Sequence, residues 1–286
     1  MARVGARCSA WFAVASMALA AAVGSSPAAA ATIGQLPPVD PPTNSCGHSF
    51  DLVQPTVTDG TSYVVPSTGG IANWTVTSWS TKSSSPGQSM ALKMFRKAGT
   101  PNVFEAIAHE GPHTLVGGVN SFPAHLQVQA GDILGIYSTA GSCVFNAPGE
   151  AFFYLQDVNL ADGQQGSFTP DTDFRVNASA QVEPTSDIKL GKAKSKSNGS
   201  AILPVTVENP GVLTASGGGI AKISTSATES KQVKAAGTVK LKIKAKGLKS
   251  RQLKRKGKVK VDPKITFTPT GGIPNSVFRK IKLHRG

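Results

Sequence analysis

Residues Thr238 to Thr268 read TVKLKIKAKGLKSRQLKRKGKVKVDPKITFT, and the placing of lysine in this stretch decides the fold class. In the first run Val239, Leu241, Ile243 and Ala245 take one set of alternate positions, and Lys240, Lys242, Lys244 and Lys246 take the other. A period of two is what a strand with one buried face requires, because successive side chains point to opposite sides of the backbone. The second run puts Val259, Val261, Ile265 and Phe267 inward, and Lys258, Lys260, Lys264 and Thr266 outward. Together they predict two neighbouring antiparallel strands joined by a basic loop from Gly247 to Gly257, one face core and the other a lysine lattice.

Around that stretch the sequence from Ser186 onward is rich in Lys, Ala, Gly, Thr and Val and holds no Trp, Tyr or Cys. Turns are signalled at Asn209-Pro210-Gly211, Ser216-Gly217-Gly218-Gly219 and Pro269-Thr270-Gly271-Gly272. About seven strands in about 100 residues suit an immunoglobulin-like sandwich. Upstream, Cys46 to Pro184 breaks into nine or so short strands bounded by Gly, Pro, Asn, Asp or Ser, the spacing of a sandwich, here read as jelly-roll-like. The expected class is therefore all-β, with two β-sandwich domains at 46–184 and 185–286. A proline-rich extended lead at 32–45 precedes them, following a signal peptide at 1–31.

That leader is read from Arg3 and Arg7, the apolar run Trp11 to Val23, and the small residues Ala28 to Ala31. Downstream no stretch of about 18 apolar residues offers a membrane span, so the mature chain is expected to be secreted, with or without retention at the cell surface. Export leaves Cys46 and Cys143 in a compartment where disulfides persist, which predicts one bridge. Closing a loop of roughly 100 residues stabilises a fold by up to about 4.7 kcal/mol in the chain-entropy model.

Charge is divided as sharply as composition. Residues 32–186 carry five Lys and Arg against twelve Asp and Glu, whereas residues 187–286 carry 23 against four. Such an asymmetry assigns the two halves different surfaces and points the second toward an anionic partner.

Motifs for chemistry are weak by comparison. His109-Glu110-Gly111-Pro112-His113 matches H-E-x-x-H, but the zinc-protease geometry needs a helix there. Proline inside a helix costs about 3 kcal/mol and glycine about 1, so the string reads as a strand ending in a turn. Gly87-Gln88-Ser89-Met90-Ala91 lacks the last glycine of a nucleophile elbow. The histidines His48, His109, His113, His125 and His284 single out no triad. No catalytic residue, metal ligand or cofactor is assigned, and the chain is read as non-enzymatic. Asp157, Asp162, Asp171 and Asp173 border a loop that fails the EF-hand register and reads as solvated acid. Trp74 and Trp79 fall on opposite faces of a regular strand, Trp74 with Val76 toward the core and Trp79 outward as an aromatic platform for a sugar ring.

The run AILPVTVENPGVLTASGGG at 201–219, the Lys-alternating strands and TFTPTGGIPN at 266–275 resemble the Lys-rich sandwich modules that end many exported actinobacterial proteins. The upstream half is similar to uncharacterised exported sandwiches of the same bacteria. The resemblance implies fold and export, and it brings no activity or site residues.

The function read from the residues is association with an anionic cell-envelope polymer, glycan or extracellular matrix. Its expected carriers are Lys249, Arg251, Lys254, Arg255 and Lys256, followed by Lys240, Lys242 and Lys244. Alternate lysines on a strand sit about 6.6 to 6.8 Å apart, and lysine in place of arginine suits diffuse attraction rather than forked recognition. Without aromatics among the bases, specific nucleic-acid binding is not expected. Two alternatives stand beside it, a carbohydrate-binding protein using Trp79 and a solvated spacer without a ligand.

Overall fold

A computed structural model describes residues 30–38, 45–55, 57–217, 219–221, 223–224 and 232–286. Residues 1–29 of the expected signal peptide at 1–31, and residues 39–44 of the expected lead at 32–45, lie outside the described residues. Within them the chain is all-β apart from one short helix.

In the first half the strands are β1 (Ala31–Gln35), β2 (Phe50–Val53), β3 (Asn73–Ser83), β4 (Ser89–Lys97), β5 (Val103–Thr114) and β6 (Gly118–Gln129). They continue as β7 (Ile133–Ser138), β8 (Val144–Gln156), β9 (Gln165–Ser167), β10 (Thr169–Val176) and β11 (Ala178–Pro184). One sheet has the order β1-β11-β3-β6, and the other β10-β8-β2-β7-β4-β5-β9. Trp74, Val76, Trp79, Ala180 and Val182 of the smaller sheet pack with Leu52, Leu92, Met94, Leu134 and Ile136 of the larger. The outer face of the larger sheet holds a second cluster, where Val53, Phe95, Phe104 and Ile133 are covered by Leu160 and Phe168. Cys46 and Cys143 are bonded as expected, tying the chain ahead of β2 to the start of β8.

Residues Ala31–Gln35, running from the last residue of the expected signal peptide into the expected lead at 32–45, join β11 as an edge strand. The cause is Ile33, which is buried in the core, helped by Gly34 (φ 79°), where an added Cβ would fall 2.2 Å from the Ala178 carbonyl oxygen.

In the second half lie β12 (Ile188–Leu190), β13 (Lys194–Ser195), β14 (Ser200–Val207), β15 (Gly211–Ser216), β16 (Ile223–Ser224) and β17 (Gly237–Lys244). The helix α1 (Gly247–Lys256) follows, then β18 (Lys258–Val261), β19 (Lys264–Pro269), β20 (Asn275–Phe278) and β21 (Ile281–His284). β12 and β13 share one edge of β14 and β17 takes the other; β16-β15-β19-β20 form a second sheet, and β18 pairs with β21. Leu203, Val205, Leu241, Ile243, Val259, Val261, Ile265, Phe267 and Leu283 form their common core.

The alternation read from the sequence is present, with Leu241, Ile243, Val259, Val261, Ile265 and Phe267 buried and the intervening lysines exposed. The pairing is not the expected hairpin. β17 lies against β14, with Lys240, Lys242 and Lys244 opposite Pro204, Ile202 and Ser200. The second run breaks at Asp262-Pro263 into β18 and β19, which belong to different sheets, since proline cannot donate to a ladder. The expected basic loop is α1. Its Leu, Lys, Arg and Gln are good helix formers, and Gly257 ends it in the left-handed conformation (φ 67°), donating its N–H to Leu253 O at 2.9 Å.

A neutral polar clamp joins the halves. Asn209, fully buried, accepts the Asn73 N–H at 3.2 Å and donates to Asn73 O at 2.7 Å and Thr185 O at 3.0 Å. Asn73 in turn donates its side-chain amide to Glu208 O at 2.8 Å.

Candidate functional site

The helix α1 is anchored by one side chain. Leu253 is buried over Gly199 (φ 80°), where a Cβ would lie 2.9 Å from Leu253 Cδ2, while Leu248 is 76% exposed. The first turn carries no acid and the last turn carries Lys254, Arg255 and Lys256, whose charge complements the helix C-terminus. Lys249 lies with its stem across Gly219, so its reach is set by packing as well as by water.

Standing between β17 and β18, α1 divides the basic surface into two clefts. The first, of about 310 Å³, is lined by Lys242, Lys244, Lys254 and Arg285 together with Ser200 and Ser250. Arg285 is held there by its backbone, which donates to Gly257 O at 2.8 Å. The second, of about 430 Å³, is lined by Lys249, Gln252, Lys256, Lys258, Lys260 and Lys282. Among the described residues no acidic side chain lines either cleft. In the second, Lys260 stands directly opposite Lys282 in the β18–β21 register. Like charges so placed destabilise a strand pair.

Of the eight cations expected to act together, five reach a cleft: Lys242, Lys244 and Lys254 in one, Lys249 and Lys256 in the other. Lys240, Arg251 and Arg255 are exposed but line neither. Lys258, Lys260, Lys282 and Arg285 were not among the expected carriers. The first two were legible as outward positions of the alternating run, whereas Lys282 and Arg285 enter through the pairing of β21.

The Trp79 platform is corrected. A bulge between Val76 and Ser78 shifts the strand by one residue, so both tryptophans face the core and Trp79 is 1% exposed. Its ring packs 5.1 Å from Phe122, and its indole N–H donates to Glu110. Aromatic surface appears elsewhere, in a cleft of about 310 Å³ beside the disulfide, lined by Phe50, Phe152, Tyr154 and Phe174 with Gln156 and Asp171.

The H-E-x-x-H string continues as strand to Thr114, with a register shift between Met90 and Leu92 of the neighbouring β4, so the expected turn is absent. Its histidines serve different partners. His109 bonds Asp162 at 2.8 Å, whereas His113 bonds Glu110 at 2.7 Å and stacks on Phe122 at 3.9 Å. The acidic residues diverge too: Asp173 accepts the Gly149 N–H at 2.8 Å, Asp157 approaches His48, and Asp162 is taken by His109. Among the described residues no group of three or more His, Cys, Asp and Glu could hold a metal ion. No helix among them is long and apolar enough to cross a membrane.

No family model matches the chain, nor does any curated protein or solved structure.

Proposed function

We propose that this is an exported, non-enzymatic protein in which residues 185–286 form a basic immunoglobulin-like module that associates with an anionic polymer of the cell envelope or matrix. The observation that carries this reading is the pair of lysine-lined clefts on either side of α1, which hold no acidic side chain among the described residues, with Lys260 facing Lys282. A chain that places like charges in register, with no acidic partner beside them among the described residues, is destabilised there until an outside anion neutralises them. Mobile lysines around open clefts suit repeated phosphate, sulfate or carboxylate groups held by charge rather than by one fixed geometry. The jelly-roll-like module of residues 46–184 and its signal peptide complete the proposed architecture.

The test is binding of the full mature chain to heparin, wall teichoic-type polymer and anionic vesicles across a salt series. Each cation near an anionic surface contributes about 1 kcal/mol at physiological ionic strength. A Lys242→Gln, Lys244→Gln, Lys254→Gln variant should therefore bind on the order of a hundredfold more weakly, with a shallower salt dependence. Retention unchanged in that variant and in the matching Lys256, Lys258, Lys260 variant would remove the clefts from consideration.

A second reading rests on the aromatic cleft beside Cys46–Cys143. Phe50, Tyr154 and Phe174 there supply faces for a sugar ring, with Asp171 and Gln156 as polar partners. Neutral oligosaccharides that perturb binding in a Tyr154→Ala-sensitive manner would favour it.

A further inference from the structure

Outside the basic clefts, and independent of them, the most unusual chemistry lies beneath the segment that covers the larger sheet of the first half. Lys93 on β4 and Asp51 on β2 are 1% and 0% exposed, and β7 lies between their strands. The Lys93 ammonium nitrogen is 2.7 Å from Asp51 Oδ1 and 2.9 Å from Oδ2. Only Oδ2 has hydrogen-bond geometry, and Oδ1 is a buried oxygen without a hydrogen-bond partner. A nitrogen so close to both oxygens lies within about 3.2 Å of Cγ, inside the range of about 3 to 3.5 Å of a near-attack arrangement.

The surroundings are already arranged for an amide. Leu160 donates its N–H to Asp51 Oδ2 at 2.8 Å, and its carbonyl accepts from Lys93 Nζ at 2.7 Å. Joining Nζ to Cγ would leave one N–H and one C=O, each with its Leu160 partner in place, and the oxygen to be lost is the unpartnered Oδ1. We propose that Lys93 and Asp51 condense to an intramolecular amide that cross-links β2 to β4 across β7.

The step balances without a co-reactant. A proton passes from the ammonium to the carboxylate, giving amine and carboxylic acid. Nζ then bonds to Cγ, the Cγ–Oδ1 bond breaks, and Oδ1 departs as water carrying its own proton and one from Nζ. Burial favours the uncharged pair from both sides, pushing the Asp51 carboxyl up and the Lys93 ammonium down. A cavity of about 230 Å³ lined by Lys93, His109, Asn159 and Leu160 provides room for the departing water. His109 is the register partner of Lys93 and is bonded to Asp162, the further acid that acts on Lys93.

Intact-mass measurement of the full mature chain, reduced and denatured, tests this directly. The expected result is a shortfall of one water, about 18 Da, together with a branched peptide joining the segments around Asp51 and Lys93. Lys93→Arg keeps a cation opposite Asp51 but has no nucleophilic amine, and it should restore the full mass. A folded wild-type protein of full mass, whose Lys93 is reductively methylated once the chain is denatured, overturns the proposal. Because the wild-type chain alone gives that answer, a variant that fails to fold does not blur it.

Discussion

In residues 31–184 three cations are held from inside the fold: Lys93 by Asp51, Arg96 by Asp132, and Arg175 by Glu150 and Asp59. Among the described residues of 185–286 one ion pair is found, Lys189 with Glu208, and the other described cations face solvent or a cleft. In the first half, then, three of the five Lys and Arg have specific geometric tasks among the described residues. The second half builds its core from aliphatic residues and Phe267 alone, leaving charge free for a surface property. The difference teaches that a cation count says little about a partner until the buried cations have been set aside.

Removing a buried cation should have the largest effect. Arg175 bonds Glu150 and Asp59 at 2.6 Å each, and Gln35 at 2.6 Å. Arg175→Leu leaves Glu150 buried with its Thr58 hydrogen bonds but without its cation, and breaking such a pair costs about 3 to 5 kcal/mol; chemical denaturation at neutral pH should read that loss, with little dependence on salt. The pH dependence has a definite sign. Hydrogen bonds from Arg175 and Thr61 hold Asp59 well below the usual carboxylate range. Burial alone would raise Glu150, but bonds from Thr58 and Arg175 outweigh it and hold that carboxyl low as well. Their contribution is fully present above the ordinary carboxylate pKa of about 4 and is lost as pH falls through the depressed folded values. The wild-type acid limb should therefore be steeper than that of Arg175→Leu. Equal limbs would mean that the first half does not depend on its internal charges.

A smaller effect is expected where the halves meet. Asn209 satisfies both of its amide groups against Asn73 and Thr185. Asn209→Ala removes the side-chain partner of the Asn73 N–H and of the Thr185 carbonyl, at about 1 to 3 kcal/mol, while Asn73 O keeps the Thr185 N–H at 3.1 Å. Because the clamp is neutral, the distance between the halves, followed by small-angle scattering or a fluorophore pair, should not change with salt in the wild-type chain. A salt-dependent distance would show that attraction between an acidic and a basic half holds them together instead.

How much of this was legible in the sequence depends on how local its cause is. The alternation of Leu241 and Ile243 with Lys242 and Lys244 announces a one-sided strand because the period resides in neighbouring residues. The partner of that strand does not, since β14 lies about 40 residues upstream and pairing is settled by burial on both strands at once. α1 was hidden by its charge. With Leu253 as its single buried residue it shows no apolar stripe, although its helix formers and Gly257 were there to be read. Trp79 moved inward through a bulge that no turn residue marks. The Cys46–Cys143 bond was legible because it had no competitor, whereas Asp51 and Lys93, 42 positions apart, gave no sign of each other. The excess of 23 bases over four acids correctly marked the second half as cationic; which lysines share a cleft required the β18–β21 register.

The smallest expected change is the sharpest contrast with Arg175. Lys260 and Lys282 are both exposed and face each other in register, so neither has a favourable interaction for the other to lose. Lys260→Gln removes one side of a repulsion and keeps a long polar side chain. Its effect on stability should fall within about 0.5 kcal/mol of zero, on the stabilising side. That gain should be greatest at low ionic strength and vanish at about 1 M salt, where the Debye length of about 3 Å is shorter than the distance between strands. Thermal melts of the variant and the wild type at two salt concentrations read the difference. A stabilisation that survives high salt would place its origin in strand packing, and a destabilisation at low salt would mean that Lys260 has an anionic partner within the chain. Adding heparin at low salt should reverse the order of the two melts, because an outside anion stabilises the protein that retains both charges.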